Sequence, residues 1–385
     1  MDASKTLGKK KEFNWKSGLF LIIYQPLLLC TLPFYFYYCT PSWSLIIISI
    51  VLLYLTGMSI TAGYHRLYSH KTYKAPPSVE SVILFFAAMA VQSSAIRWAF
   101  DHRLHHAYVD TDEDPYSIKK GFWYAHFLWM LEKPRPIDPK VVPDLLKNKR
   151  VVFQERHIGK LMLVTNLIAF FSVGYLLNDY WGAFFIAVWL RIFALHHFTW
   201  FINSLAHTWG DKPFCQEQSA VDNYILSMLT FGEGYHNYHH TFANDYRNGV
   251  RWYHFDPTKW LIWILNKAGL TSDLKQMSPY AIKKKMVLER KNLLMEHLKS
   301  SCWQMAEELE SQVNEISDRI VAQITHFNQL KEQYRQLKRS ETKEKLEEQR
   351  RAIKTLRKNL KVDWKRWSQL SRQILKGKPS LETAS

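Results

Sequence analysis

Charge is missing where a water-soluble chain would need it. From Ser17 to Tyr64 there is no Asp, Glu, Lys or Arg, and between Lys160 and Asp211 only Asp179 and Arg191 are charged. Cysteine is scarce: Cys30, Cys39, Cys215 and Cys302 are scattered without a C-x-x-C or any zinc-like spacing. That excludes a disulfide scaffold, a thiolate metal site and an iron–sulfur cluster. G-x-G-x-x-G and H-P-G-G strings are also absent, so a fused cytochrome b5, flavin or ferredoxin domain is not expected here. No cleavable leader is expected, because Lys5, Lys9, Lys10, Lys11 and Lys16 feed an apolar run far longer than a signal h-region.

What is abundant is apolar and aromatic: 47% hydrophobic and 15% aromatic, which excludes disorder. The net charge of +17 suggests nucleic acid until it is located. Residues 271–385 hold 25 Lys+Arg and 15 Asp+Glu, so +10 of the +17 lies in the tail. No nucleic-acid partner is expected. A membrane helix needs about 20 apolar residues, so the uncharged runs predict four spans, at about 18–39, 44–63, 161–177 and 181–202. The stretch 81–96 is too short to cross and reads as an interfacial helix. The turns around 40–43 and 178–180 lack Lys and Arg, whereas the N-terminus, residues 65–160 and everything after 203 are rich in both. The positive-inside rule places all three of those segments, and both termini, in the cytoplasm.

Of 16 histidines, 13 fall between residues 65 and 240. Three clusters stand out: His65 with His70, His102 with His105 and His106, and His236 with His239 and His240. The last two share the spacing i, i+3, i+4, which places three imidazoles on one helix face. Such a face packs poorly but offers several nitrogen lone pairs to one point, as transition metals require. Each cluster follows an apolar segment, and all three reach the same membrane face only if 81–96 does not cross. Eight imidazoles exceed one ion's needs, so two metals are expected, with iron, copper or zinc fitting the donor type. Redox metals at a membrane surface point to O2 activation.

The strings Gly63-Tyr-His-Arg-Leu-Tyr-Ser-His70, Trp98-Ala-Phe-Asp-His-Arg-Leu-His-His106, Asn203-Ser-Leu-Ala-His207 and Gly232-Glu-Gly-Tyr-His-Asn-Tyr-His-His-Thr-Phe242 resemble the histidine boxes of membrane fatty acyl desaturases. The likeness is to the acyl-CoA Δ9 (stearoyl-CoA-type) group in particular, over about residues 17–270. It implies a di-iron centre held by His65, His70, His102, His105, His106, His207, His236, His239 and His240, with Asn203 acting through water. Spacing alone would leave His207 a lone structural histidine. The activity implied is insertion of a cis double bond into a saturated acyl chain of about 16–18 carbons, with O2 and two external electrons. It also implies that Gln92, Trp98, Thr199 and Trp200 line the bend of a substrate tunnel and that Lys119 and Lys120 meet the CoA phosphates. Arg66, Lys71, Lys74, Arg97 and Arg103 join the expected basic rim. Leu53 and Gly57, twelve and eight residues before His65, are placed at the tunnel floor. Fatty acyl-CoA, a separate donor (cytochrome b5 or ferredoxin-like) and the bilayer are the expected partners. The expected compartment is the endoplasmic reticulum in a eukaryote or the inner membrane in a bacterium. A histidine-box hydroxylase and a non-enzymatic metal-holding membrane protein remain alternatives.

The tail departs from that pattern. Leu309, Val313, Ile316, Ile320, Phe327, Leu330, Tyr334 and Leu337 fit a heptad seam interrupted by Gln323. The seam breaks near Ser340 and resumes at Leu346, Ile353, Leu356 and Leu360, ending in the basic, Trp-bearing stretch 364–367. Two helices able to self-associate, dock a donor or touch anionic lipid are expected. The predicted fold is therefore all-α: a cytoplasmic N-terminus (1–16), a four-helix transmembrane bundle with a cytoplasmic helical cap holding the histidines (17–270), and a helical coiled-coil extension (271–385).

Overall fold

The computed structural model of the protein describes residues 12–300, 305–337 and 343–377. Lys5, Lys9, Lys10, Lys11, Cys302 and the expected break near Ser340 lie outside them. Among the described residues every regular element is helical, with only isolated β-bridges. The chain forms two compact units, one through Lys212 plus Glu217–Gln276, the other Pro213–Gln216 plus Met277 onward.

The first unit runs α1 (Trp15–Tyr38), α2 (Trp43–Ser69), α3 (Pro77–Met89), α4 (Ala95–Tyr108), α5 (Phe122–His126), α6 (Lys149–Leu177), α7 (Tyr180–His207), α8 (Tyr224–Leu229), α9 (His236–Thr241) and α10 (Pro257–Lys267). Helices α1, α2, α6 and α7 are long and apolar enough to cross a membrane. Their outward side chains are apolar, and the two short turns carry exposed Tyr37, Tyr38, Trp43, Tyr175 and Trp181. That is the composition of a membrane interface. Ser42 caps α2 by accepting from the Leu45 N–H, and Asn178, in the left-handed region, closes α6.

The stretch 81–96 is not one helix. α3 stops at Met89, Val91 and Ser93 take positive φ, and Ser94 caps α4 by accepting from the Arg97 N–H at 3.2 Å. The last carbonyls of α3 end inside the bundle. The Met89 carbonyl accepts from Arg191 of α7 and Asn166 of α6, each a polar side chain in an apolar helix. Arg191 also reaches Asn166 Oδ1 at 2.5 Å and Thr56 at 3.5 Å, so one buried guanidinium ties α2, α3, α6 and α7 together.

The second unit is a three-helix bundle of α11 (Pro279–Ser300), α12 (Ala306–Leu337) and α13 (Lys343–Leu375). The expectation of two helices missed α11. Val287 and Leu294 from α11 share one core with Val313, Ile320 and Phe327 of α12 and Trp367 and Ile374 of α13. Gln323 donates to Asp363 Oδ2 at 2.8 Å, and Ile324 takes the core position beside it. The apolar seam is thus used within the chain, which removes the sequence-based reason for self-association through it. Trp367 is likewise buried rather than surface-exposed.

Candidate metal centre

Backbone geometry explains the spacing of the first histidine pair. On an α-helix, His65 and His70 would point apart. Residues Ser59–Ser69 instead form a π-helix, and the His70 N–H closes onto the His65 carbonyl at 3.1 Å. The i→i+5 closure turns both imidazoles to one side, and π-turns of this kind are frequent at functional sites. The second cluster rides one face of α4. The third rides α9, a six-residue helix whose Tyr238 N–H is capped by Asp222 Oδ1 at 3.0 Å.

These elements bring nine histidines into two adjacent groups. His65, His70, His102, His106 and His239 form one, and His105, His207, His236 and His240 the other. Within each group one ring nitrogen per residue lies within 4.8 Å of all the others. Nε2 of His239 is 2.9 Å from that of His65 and 3.0 Å from that of His106, and the His70–His102 pair is 2.8 Å apart. Burial, and then repulsion between neighbouring rings, holds His70, His102, His106, His236, His239 and His240 well below the usual imidazole range. Their rings are neutral donors of lone pairs.

Carboxylates fix where the ring protons sit. His65 Nδ1 is 2.9 Å from Glu233, and His105 Nδ1 is 2.9 Å from Asp114. Burial alone would raise Glu233, but His65 and Arg66 outweigh it and hold its carboxyl below the usual range. At His105, whose Nδ1 is hydrogen-bonded to Asp114, a proton on Nδ1 leaves the Nε2 lone pair facing the other imidazoles, an arrangement that a cation relieves. His207 Nε2 is buried with no protein partner. Buried imidazoles whose ring nitrogens converge in two groups, with carboxylates 2.9 Å behind His65 and His105, fit two metal ions. Asp114, Glu233, Asp222 and Ser219 were not read as site residues from the sequence. Glu233 stood within the quoted glycine-rich string, and the others carry no local signal.

One cavity of about 490 Å³ reaches both groups, touching His65 and His102 of the first and His105 and His236 of the second. Asn203 lines it as well, as do Gln92, Trp98, Thr199 and Trp200. Gln92 Nε2 donates to Thr199 Oγ1 at 2.8 Å, joining the turn after α3 to α7. His196 is on the cavity wall and bonds Tyr24 OH at 2.8 Å. His197 faces away, toward His126 at 3.1 Å.

Other expected site residues lie off this cavity or are engaged elsewhere. Leu53 packs into the first unit's core, and neither it nor Gly57 lines the cavity. A Cβ at Gly57 would stand 2.3 Å from the Phe231 ring. Gly57→Ala should therefore cost about 1–3 kcal/mol of stability by overpacking, read as a lower melting temperature. Products of the folded fraction should keep their chain lengths; a shift to shorter products would return Gly57 to the tunnel. Arg66 is 1% exposed and cannot form a headgroup rim. Arg103 is spent on Asp144 at 2.8 Å and on the carbonyls of Tyr68, Ser69 and Val141. Lys119 and Lys120 are exposed but off the cavity. The basic side chains that do line it are Arg97, Lys133 and Arg135, with Lys133 at its solvent-exposed end.

The profile of the family described as "Fatty acid desaturase" matches residues 41–271. The "Probable acyl-CoA desaturase" of Schizosaccharomyces pombe is 42% identical over 291 residues, covering 74% of this chain and 59% of that protein. "Acyl-CoA desaturase 1" of Saccharomyces cerevisiae is 43% identical over 234 residues, 60% of this chain and 46% of that protein. The "sn-2 palmitoyl-lipid 9-desaturase" of a Nostoc strain is 34% identical over 280 residues, 71% of this chain and 94% of that protein. The chain thus spans only about half to three-fifths of the length of the two yeast relatives.

Proposed function

Because this chain belongs to the fatty acid desaturase family, we propose that it is an acyl-CoA Δ9 desaturase, placing a cis double bond in a saturated chain of about 16–18 carbons. The observation that carries the reading is one cavity touching both histidine groups. An acyl chain lying in it would pass both. The nine histidines would hold two iron ions, with Asn203 acting through water. Bound there, the irons would supply O2 activation and the oxidising power that unactivated methylenes demand.

The balance is simple. The substrate gives up two hydrogens, and O2 leaves as two waters after taking up two electrons and two protons from outside. Both electrons come from a separate donor, cytochrome b5 or a ferredoxin-like protein. No functional group marks the target carbon, so the protein must hold one C–C bond in place. Trp98 and Trp200 present aromatic walls and the Gln92–Thr199 bond pins the bend. Lys133, Arg135 and Arg97 would meet the CoA phosphates at the exposed end. The cap and termini face the cytoplasm, of the endoplasmic reticulum in a eukaryote or of the inner membrane in a bacterium.

The test is expression in a desaturase-deficient host, with derivatised lipids and a His106→Ala control. A new cis-Δ9 monoene, absent from the control, is expected. A hydroxy acid instead would favour a hydroxylase. Folded, iron-loaded protein that stays inactive both with cytochrome b5 and its reductase and with a ferredoxin system would overturn the enzyme reading.

A further inference from the structure

His207 differs from the other eight histidines in its origin. It comes from the last turn of α7, outside the three clusters, and its neighbours in the four-histidine group come from α4 and α9. Something must aim a ring that its own helix does not place. We infer that Asp110 and Ser219 are positioning residues that fix the tautomer and direction of His207, and through it the retention of metal in the four-histidine group. The inference rests on the metal reading proposed above.

Ser219 Oγ lies 2.7 Å from His207 Nδ1 and 2.5 Å from Asp110 Oδ1, while the Ser219 N–H donates to Asp110 Oδ2 at 2.7 Å. An ionised carboxylate only accepts. The serine hydroxyl therefore donates to Asp110, and its oxygen accepts from His207 Nδ1–H. With the ring proton on Nδ1, the lone pair is on Nε2. That is the buried nitrogen with no protein partner. The direction of every hydrogen in this chain follows from the carboxylate at its end.

The same loop serves a second member of the group. The Asp110 N–H donates to Asp114 Oδ2 at 3.3 Å, and Asp114 Oδ1 holds His105 Nδ1 at 2.9 Å. Asp110 takes φ +62°, a left-handed conformation that Asp tolerates better than most side chains. Residues 110–114 thus orient His105 directly and His207 through Ser219. The five-histidine group has its own carboxylate, Glu233, on His65.

Partners of this kind typically change metal affinity by about 10- to 100-fold when removed. The test uses the full chain in detergent, loaded with ferrous iron, comparing wild type, Ser219→Ala, Asp110→Asn, the conservative Ser219→Thr, and His207→Ala as reference. Iron per chain, the rate of iron loss to a chelator, and the signal of an isolated, uncoupled ferric ion are read. Wild type and Ser219→Thr should hold roughly two irons, one per group. Ser219→Ala and Asp110→Asn should lose one of them about 10- to 100-fold faster, exposing the uncoupled signal, with melting temperature nearly unchanged. Should Asp110→Asn fail to fold, the half-exposed Ser219 carries the test alone. Folded Ser219→Ala that keeps both irons at the wild-type rate overturns the inference. Wild type without iron, or His207→Ala that keeps two, overturns the metal reading and this inference with it.

Discussion

Arg66→Ala is expected to destabilise the first unit by about 3–5 kcal/mol, the usual cost of removing one member of a buried charge cluster. Arg66 donates through Nη2 to Glu233 at 2.9 Å and to Asp256 at 3.0 Å, and through Nη1 to the Tyr246 carbonyl at 2.7 Å. All three charged residues are essentially inaccessible. Without the guanidinium, two carboxylates stay buried with their shared counter-charge gone. Asp256 also accepts from the backbone of Asn248, Gly249 and Lys259, so the loop before α10 should loosen along with it. Glu233 would lose its guanidinium partner at 2.9 Å, leaving its other oxygen 2.9 Å from His65 Nδ1 less firmly placed. Thermal unfolding in detergent checks this: a large drop for Arg66→Ala and a partial rescue by Arg66→Lys. An unchanged melting curve with a raised KM for acyl-CoA would restore the headgroup role read from the sequence.

That reversal for Arg66 shows where sequence reasoning stops. Long uncharged runs make membrane-length helices legible, because hydrocarbon tolerates few charges whatever the tertiary fold. The second and third histidine clusters were legible too, since α-helical periodicity alone puts i, i+3 and i+4 on one face. For His65 and His70 the spacing did not announce a shared face, because the π-turn that supplies one depends on how the helix end packs. A cation's role is harder still. Arg66, Arg103 and Lys133 read alike in sequence, yet the first is caged by two carboxylates from residues 167 and 190 positions away. Only the folded chain says which charge faces solvent. In the tail, Val287, Leu294 and Leu298 carried a heptad-like spacing diluted by lysines. α11 therefore passed for a polar lead-in and not the third helix of a bundle.

The cavity's rim supplies the other large effect. The double substitution Lys133→Ala, Arg135→Ala is expected to raise KM for acyl-CoA by about 10- to 100-fold while leaving kcat within about twofold. These side chains would meet the headgroup, far from the reacting carbons. Binding contributed equally to ground state and transition state appears in KM alone. The range is modest because Lys133 is 65% exposed and paired with Glu12 at 2.6 Å, so solvent and a local carboxylate already screen it. Arg135 is less exposed, with its guanidinium 3.2 Å from Glu113, and should carry the larger share. The effect should shrink as salt is raised, as expected for phosphate contacts at an open rim. The matching pair Lys119→Ala, Lys120→Ala should change KM less than twofold, because Lys120 is spent on the Asp112 carbonyl and the Tyr124 ring, and neither lysine lines the cavity. Steady-state kinetics with a saturating electron donor separates the two pairs. A raised KM for Lys119/Lys120 with a normal one for Lys133/Arg135 would place the headgroup on the first pair and close this cavity end as its entrance. If both pairs are silent while the chain desaturates lipid-bound acyl groups, the carrier is a lipid and not CoA.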